Sequence, residues 1–266
     1  MPAGVGRLTA GFVEFEFDLP DALLASLIKI CDGMSAASLT PQNVITIPEA
    51  QGVYQLLHNG KIVYIGKTDA DAGLRRRLER HAWTIQHRLN LAPADVTFKA
   101  VRIFVFTAID LEAQLIRHYS NVAPLLWNNS GFGSNDPGRN RDDTDLRPTG
   151  FDAKYPIDLD HDVHFSVETG TSASAVLTGL RAALPYTLRV EAEERNKRRS
   201  HAELVSTIVK TLPAAPRTTR SVLLAVLASL PPGWQATALA GRVILYRETK
   251  SYRFGSIIGR SPQANI

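Results

Sequence analysis

The stretch Gly52-Val53-Tyr54-Gln55-Leu56-Leu57-His58-Asn59-Gly60-Lys61-Ile62-Val63-Tyr64-Ile65-Gly66-Lys67 constrains this chain more than any other. Two runs of β-favouring residues flank Asn59-Gly60, the dipeptide that most readily supplies the positive φ angles of a tight hairpin turn. Loop length then decides which side chains share a face, because the side-chain period of a strand is two. A two-residue loop, Asn59-Gly60, pairs Tyr54 with Ile65 and puts Tyr54 and Tyr64 on opposite faces. A three-residue loop, His58-Asn59-Gly60, with Gly60 left-handed, pairs Tyr54 directly with Tyr64. Both loops are sterically allowed. Only the second makes a two-tyrosine site, and it is the one expected.

Beyond the hairpin, residues 73–88 read as a helix with Leu74, Leu78 and Ile85 inward, and Arg77 and His81, four apart, on one side of it. Residues 98–106 alternate like a buried strand. Asp110 is a good N-cap for a helix that turns Leu111, Leu115 and Ile116 inward and carries Glu112 in its first turn. Trp127-Asn128 follows, then a loop at 131–142 rich in Gly, Asn and Pro. Upstream lie an alternating stretch at 12–17 and an amphipathic segment at 23–30. Downstream, apolar helical patterns at 175–184, 204–212 and 222–230 each run into a proline, and 186–190 and 243–246 look like strands. These patterns predict a mixed α+β protein with an N-terminal arm (1–50), a core (51–142), a polar linker (143–170) and a C-terminal α/β region (171–266).

Lys and Arg number 30 against 26 acids, a net charge of +4. The excess is concentrated. Arg75, Arg76, Arg77 and Arg80 fall within two helical turns, and Arg195, Lys197, Arg198 and Arg199 form a second knot. Such patches neutralise backbone phosphates, although solvated helix faces look the same in sequence. One cysteine, Cys31, excludes an intrachain disulfide and a multi-cysteine zinc module. No apolar run approaches the ~20 residues that span a bilayer, and the opening residues lack a basic start followed by an apolar stretch. The expectation is a soluble, cytoplasmic protein without a membrane partner. Asp158-Leu159-Asp160-His161-Asp162-Val163-His164 gathers metal-ligand side chain types, but such polar segments are usually solvated.

Gly52-Val53-Tyr54, Tyr64-Ile65-Gly66, Arg77-Leu78-x-x-His81, Glu112 and Trp127-Asn128 occur in the order of the GIY-YIG nuclease core, which residues 45–142 resemble, with valine in place of the first signature's isoleucine. The added segment at 131–138 is similar to the small GIY-YIG type II restriction endonucleases. The resemblance implies a small antiparallel sheet flanked by helices. It also implies metal-dependent hydrolysis of phosphodiester bonds in double-stranded DNA, with Mg²⁺ or Mn²⁺ held mainly by Glu112. Tyr54 would then be general base or water orienter, and Tyr64 would hydrogen-bond the phosphate or the water. Arg77 would stabilise the scissile phosphate, His81 relay a proton or fix a tyrosine hydroxyl, and Asn128 orient the site. Lys67, Arg76, Arg139 and Arg141 are the expected DNA contacts. A short, GC-rich palindromic site, a homodimer on DNA and a cognate DNA methyltransferase complete the expectation. A structure-selective repair or recombination nuclease and an inactive DNA-binding module are the alternatives.

Overall fold

The computed structural model describes residues 11–12, 19–68, 71, 73–104, 111–168, 170–193 and 199–263. The alternating stretch at 13–17, Phe106, Asp110 and the basic residues Arg195, Lys197 and Arg198 lie outside the described residues. The chain is mixed α+β and forms two compact units: Met1–Arg80 with Ala94–Asn128, and His81–Pro93 with Asn129–Ile266.

The first unit contains α1 (Leu19–Gly33), β1 (Ala37–Ser38), a single-turn α2 (Pro41–Val44), β2 (Gly52–His58), β3 (Lys61–Thr68), β4 (Val96–Arg102) and α4 (Leu111–Ser120); α3 (Leu74–Thr84) runs from it into the second. Its sheet is antiparallel throughout, in the order β1-β4-β2-β3.

The hairpin closes differently from expectation. Asn59 (φ 50°) and Gly60 (φ 74°) alone form the turn, the two positive angles of the tight hairpin type. The register runs His58 to Lys61 and Leu57 to Ile62, then jumps to Leu56 opposite Tyr64, leaving Val63 as an extra, bulged residue. A bulge adds one residue to one strand and so inverts side-chain parity beyond it. Tyr54 therefore faces Gly66, not Tyr64. The two tyrosines still share a face as diagonal neighbours, their rings 6.0 Å apart. The shared face was expected; the device that produces it is the bulge.

On the opposite face, Val53 and Ile65 pack with Leu27 and Cys31 of α1 and Leu111, Leu115 and Tyr119 of α4. Full burial of one such aliphatic side chain is worth about 1.5–3 kcal/mol. Lys99 Nζ donates to the Cys31 carbonyl (2.7 Å), and the Tyr119 hydroxyl donates to Asp32 Oδ1 (2.7 Å). The segment expected as an arm thus contributes α1 to this core. On the tyrosine face, α3 approaches so closely that a Cβ on Gly52 would strike the Val101 carbonyl oxygen and lie 2.8 Å from Leu74 Cδ1.

The second unit contains α5 (Phe151–Lys154), β5 (Asp162–Val163), α6 (Ala173–Ala183), β6 (Thr187–Val190), α7 (Ala202–Ser206), β7 (Arg217–Thr218), α8 (Thr219–Ser229), β8 (Gln235–Leu239), β9 (Arg242–Tyr246) and β10 (Gly255–Arg260). Its larger sheet runs β10-β8-β9-β6, with β6 parallel to β9, and β5 pairs with β7. The Ser172 Oγ caps α6 and a Thr218/Ser221 capping box starts α8. Both helices stop on a leucine in extended conformation before Pro185 and Pro231, as a residue preceding proline prefers. The helix expected at 204–212 ends at Ser206, because Thr207 is extended and the Val209 N–H turns to the Thr171 carbonyl.

Ile157, Leu159 and Val163, from the expected linker, are buried in one cluster with Val176, Leu180, Val226 and Trp234. The segment expected as a linker therefore contributes side chains to the core of this unit. The loop before it is anchored here too. The buried Asp142 carboxylate accepts from Arg189 Nη1 (2.6 Å), Arg242 Nε (2.8 Å) and the Tyr246 hydroxyl (3.2 Å), while Asp136 pairs with Arg189. The units accordingly divide after Asn128 rather than at 142. Among the described residues no helix is long and apolar enough to cross a membrane.

Candidate active site

At the open end of the β2–β3 hairpin, opposite its turn, a cleft of about 370 Å³ is lined by Gln51, Tyr54, Tyr64, Lys67, Thr68, Arg77 and Glu112. Four elements deliver these side chains. Strands β2 and β3 present the tyrosines on one face; α3, packed on that face, supplies Arg77. From the other face α4 brings Glu112 in its first turn, where the positive end of the helix dipole favours a carboxylate. Lys67 Nζ stands 3.9 Å from Glu112 Oε2.

Gly66 makes the tyrosine arrangement possible. A Cβ there would lie 2.5 Å from the Tyr54 hydroxyl oxygen, 2.6 Å from Tyr54 Cζ and 2.9 Å from Tyr64 Cε1. The Tyr54 ring, 3% exposed, thus lies over the one residue type in β3 that leaves room for it. Burial pushes its phenol far above the ordinary range, and the neighbouring Tyr64 adds to the effect by charge and by hydrogen bond. Tyr64 is also raised by burial, but its hydrogen bond with Tyr54 acts the other way. Arg77 pulls both phenols down and Glu112 pushes both up. Both phenols are therefore protonated at neutral pH.

Asn128 has a role different from the expected orientation of substrate or metal. Its Oδ1 accepts from the Ile65 N–H and its Nδ2 donates to the Ile65 carbonyl, both at 2.9 Å, while the Trp127 N–H donates to the Val63 carbonyl (2.8 Å). The side chain amide thus imitates a strand alongside β3 and holds the backbone between Tyr64 and Gly66. Trp127, 1% exposed, stacks on His58.

His81 follows Arg77 by one helical turn but is not among the cleft-lining residues. Its ring is buried, stacked on Phe132 at 4.8 Å and 18°, with Gly133 so near that a Cβ would lie 3.0 Å from Cε1. Arg76 is exposed, 3.8 Å from Glu49. Arg139 is bound inside the second unit by Glu191 (2.7 Å) and Glu248 (3.5 Å) and lies 4.1 Å over the Tyr246 ring. Arg141 is exposed, and its carbonyl accepts from Arg242. In this conformation Arg139 is committed to protein partners rather than presented to a base. Gln51 and Thr68 are cleft residues that sequence reasoning missed. Gln51 immediately precedes the first signature, Thr68 lies two residues past the second, and Gly52 pairs with Thr68, so the register would have pointed to them.

The chemistry of the cleft suits a hard divalent cation: one carboxylate, phenol oxygens, no soft donor, and a carboxylate that already attracts the Lys67 ammonium. Among the described residues no three or more His, Cys, Asp or Glu side chains gather as a metal cage. The Asp158–His164 segment accordingly forms none: Asp160 is paired with Arg220 (2.7 Å) and His161 lies 4.0 Å from the His87 ring. No protein-family model matches the chain, and no curated protein matches it significantly.

Proposed function

We propose that this protein is a metal-dependent DNA endonuclease of the GIY-YIG type, acting on duplex DNA as a restriction enzyme does. The observation that carries this is the meeting of Tyr54, Tyr64, Lys67, Arg77 and Glu112, far apart in sequence, in one cleft. Phosphodiester hydrolysis requires an oriented water, neutralisation of phosphate charge and help for the departing oxygen; little covalent work is left to the protein. The Arg77 guanidinium, a fixed fork of donors, binds the phosphate oxygens, and Lys67 adds a point charge. The hydrogen-bonded pair of Tyr54 and Tyr64 presents phenol oxygens to the attacking water. With both phenols protonated, Tyr54 acts as water orienter, one of the two roles expected of it, and Tyr64 hydrogen-bonds the water. Glu112 would hold Mg²⁺ or Mn²⁺, which supplies Lewis-acid stabilisation when bound. A homodimer on a palindromic site cuts both strands with one cleft each.

Plasmid digestion with Mg²⁺ tests this. Discrete fragments are expected from the wild type, with Glu112→Gln still shifting DNA in a gel but no longer cutting. Cuts confined to branched DNA would assign a structure-selective nuclease instead, and no cutting with either Mg²⁺ or Mn²⁺ would refute the proposal.

A further inference from the structure

Within the second unit, a cavity of about 340 Å³ lies between the chain that leads into α6 and the chain that joins α7 to β7. Backbone bonds of the fold itself set its walls. The Val209 N–H donates to the Thr171 carbonyl (3.1 Å), the Ala173 N–H to the Thr207 carbonyl (2.8 Å), and the Lys210 N–H to Ser229 Oγ on α8 (3.4 Å). Lys210 and Arg217 are the cations of the lining, and the exposed Glu168 is its acid. Arg217 is not a freely solvated arginine. It stands on β7 opposite Val163, with its guanidinium carbon 5.5 Å from the centre of the Phe165 ring. That ring is fixed in turn, so close to α6 that a Cβ on Gly179 would lie 2.9 Å from Phe165 Cδ2. Arg217 Nη1 is buried, and among the described residues nothing accepts a hydrogen bond from it. Buried donors are nearly always paired, and a charged one left unpaired is the costliest kind.

We propose that this cavity binds a phosphate group, with Arg217 as its buried donor. A guanidinium held against an aromatic ring keeps its fork of donors in one orientation, which suits the oxygens of a phosphate. Lys210, exposed, adds a hydrated point charge, and Thr211, which also lines the cavity, carries a hydroxyl. Val209, Leu212 and Pro213 form an apolar wall, suited to the organic part of a phosphate ester. The volume is at the small end of ligand pockets, and Glu168 opposes the entry of a second anionic group, so one phosphate is the expected load. That phosphate belongs either to the backbone of a DNA duplex or to a free phosphate ester. The site is independent of the nuclease function proposed above and stands or falls without it.

The test reads the cavity locally, so that phosphate bound in the Lys67–Arg77 cleft does not interfere. Inorganic phosphate is titrated into ¹⁵N-labelled full-length protein in EDTA, and the amide signals of Gly170, Thr171, Lys210 and Thr211 are followed. They should shift and saturate with phosphate but not with chloride at the same ionic strength. Arg217→Gln should weaken phosphate binding about 10- to 100-fold, the loss of a hydrogen bond to a charged group. Lys210→Ala, at an exposed side chain, should weaken it about 2- to 5-fold and keeps the test decisive if Arg217→Gln does not fold. A short duplex of mixed sequence then distinguishes the sources. Displacement of phosphate from these four amides by the duplex, with a salt slope reduced by about 1 in Lys210→Ala, assigns the site to the DNA backbone. A duplex that leaves phosphate in place assigns it to a free phosphate ester. Absence of saturable shifts at these amides, equal shifts with chloride, or either variant binding phosphate as tightly as the wild type would overturn the proposal.

Discussion

Replacing Gly66 by alanine adds one methyl group at the point where β3 passes under the Tyr54 ring. The new carbon would stand 2.5 Å from the Tyr54 oxygen and 2.9 Å from Tyr64 Cε1. Comfortable contact for carbon is about 3.5–4.0 Å, so the overlap is roughly 1 Å. The Tyr54 ring is too enclosed to swing aside, so strand or ring must shift by that amount. Overpacking of this kind costs about 1–3 kcal/mol. A 1 Å misplacement of a reacting group costs about 10²-fold in rate. Gly60→Ala is the matched control. Gly60 has φ 74° with nothing within 4 Å, so its loss is backbone strain of about 1–2 kcal/mol at the turn, the end of the hairpin away from the cleft. Urea unfolding should show comparable destabilisation in the two variants. Plasmid cutting with Mg²⁺ should fall about 100-fold in Gly66→Ala and stay near wild type in Gly60→Ala. Equal losses of cutting would show that activity follows stability, not phenol placement. Unchanged stability and cutting in Gly66→Ala would refute the steric argument itself.

Asn128→Ala leaves the Ile65 N–H and carbonyl without their side chain partner; a stability loss of about 1–3 kcal/mol is expected by urea unfolding, with faster amide exchange at Ile65. Asp142→Asn removes the buried charge shared by Arg189 and Arg242 and should cost about 3–5 kcal/mol; a neutral effect would mean the network is dispensable. Burial and then the facing His161 lower the His87 imidazole to about 4, against about 6.5 unfolded. Between those values the unfolded chain binds the extra proton, so stability should fall as pH drops from about 6.5 towards 4, by about 1–2 kcal/mol after allowing for its partial exposure. His87→Asn, which tolerates the φ of 50°, should flatten that part of the profile; parallel curves would contradict the assignment. Arg77→Lys should retain binding within a few-fold while cutting drops about 10²-fold or more, because an ammonium cannot replace the guanidinium fork.

Local chemistry in the sequence was enough to locate the strands and helices that carry the cleft. Asn59-Gly60 demanded a turn, and the spacing of Leu74, Leu78 and Ile85 demanded a helix; all three are buried, but α3 ends at Thr84, short of Ile85 and of the expected residue 88. The bulge at Val63 was not legible, since valine carries no bulge signal and the register is set by what lies alongside β3. That neighbour is Trp127-Asn128, more than sixty residues away, so Asn128 could not be separated in sequence from a residue aimed at substrate. The loop at 131–142 misled for a related reason. Its Gly and Asn content encodes turns, but where it goes depends on Asp142 meeting Arg189 and Arg242, which only the folded second unit brings together.

The way β3 is sealed has a further consequence. An unprotected sheet margin invites a second chain to continue the ladder, the usual route to strand exchange and fibre growth. Here the amide of Asn128 and the backbone of Trp127 occupy the outer hydrogen-bonding positions of Ile65 and Val63, and the opposite margin is a strand of only two residues. A second copy therefore cannot continue this sheet's ladder across Val63 and Ile65 of β3. Under the function proposed above, a pair meeting on DNA along this margin would do so through side chains, free to assemble on a site and separate after the cut without unzipping either fold.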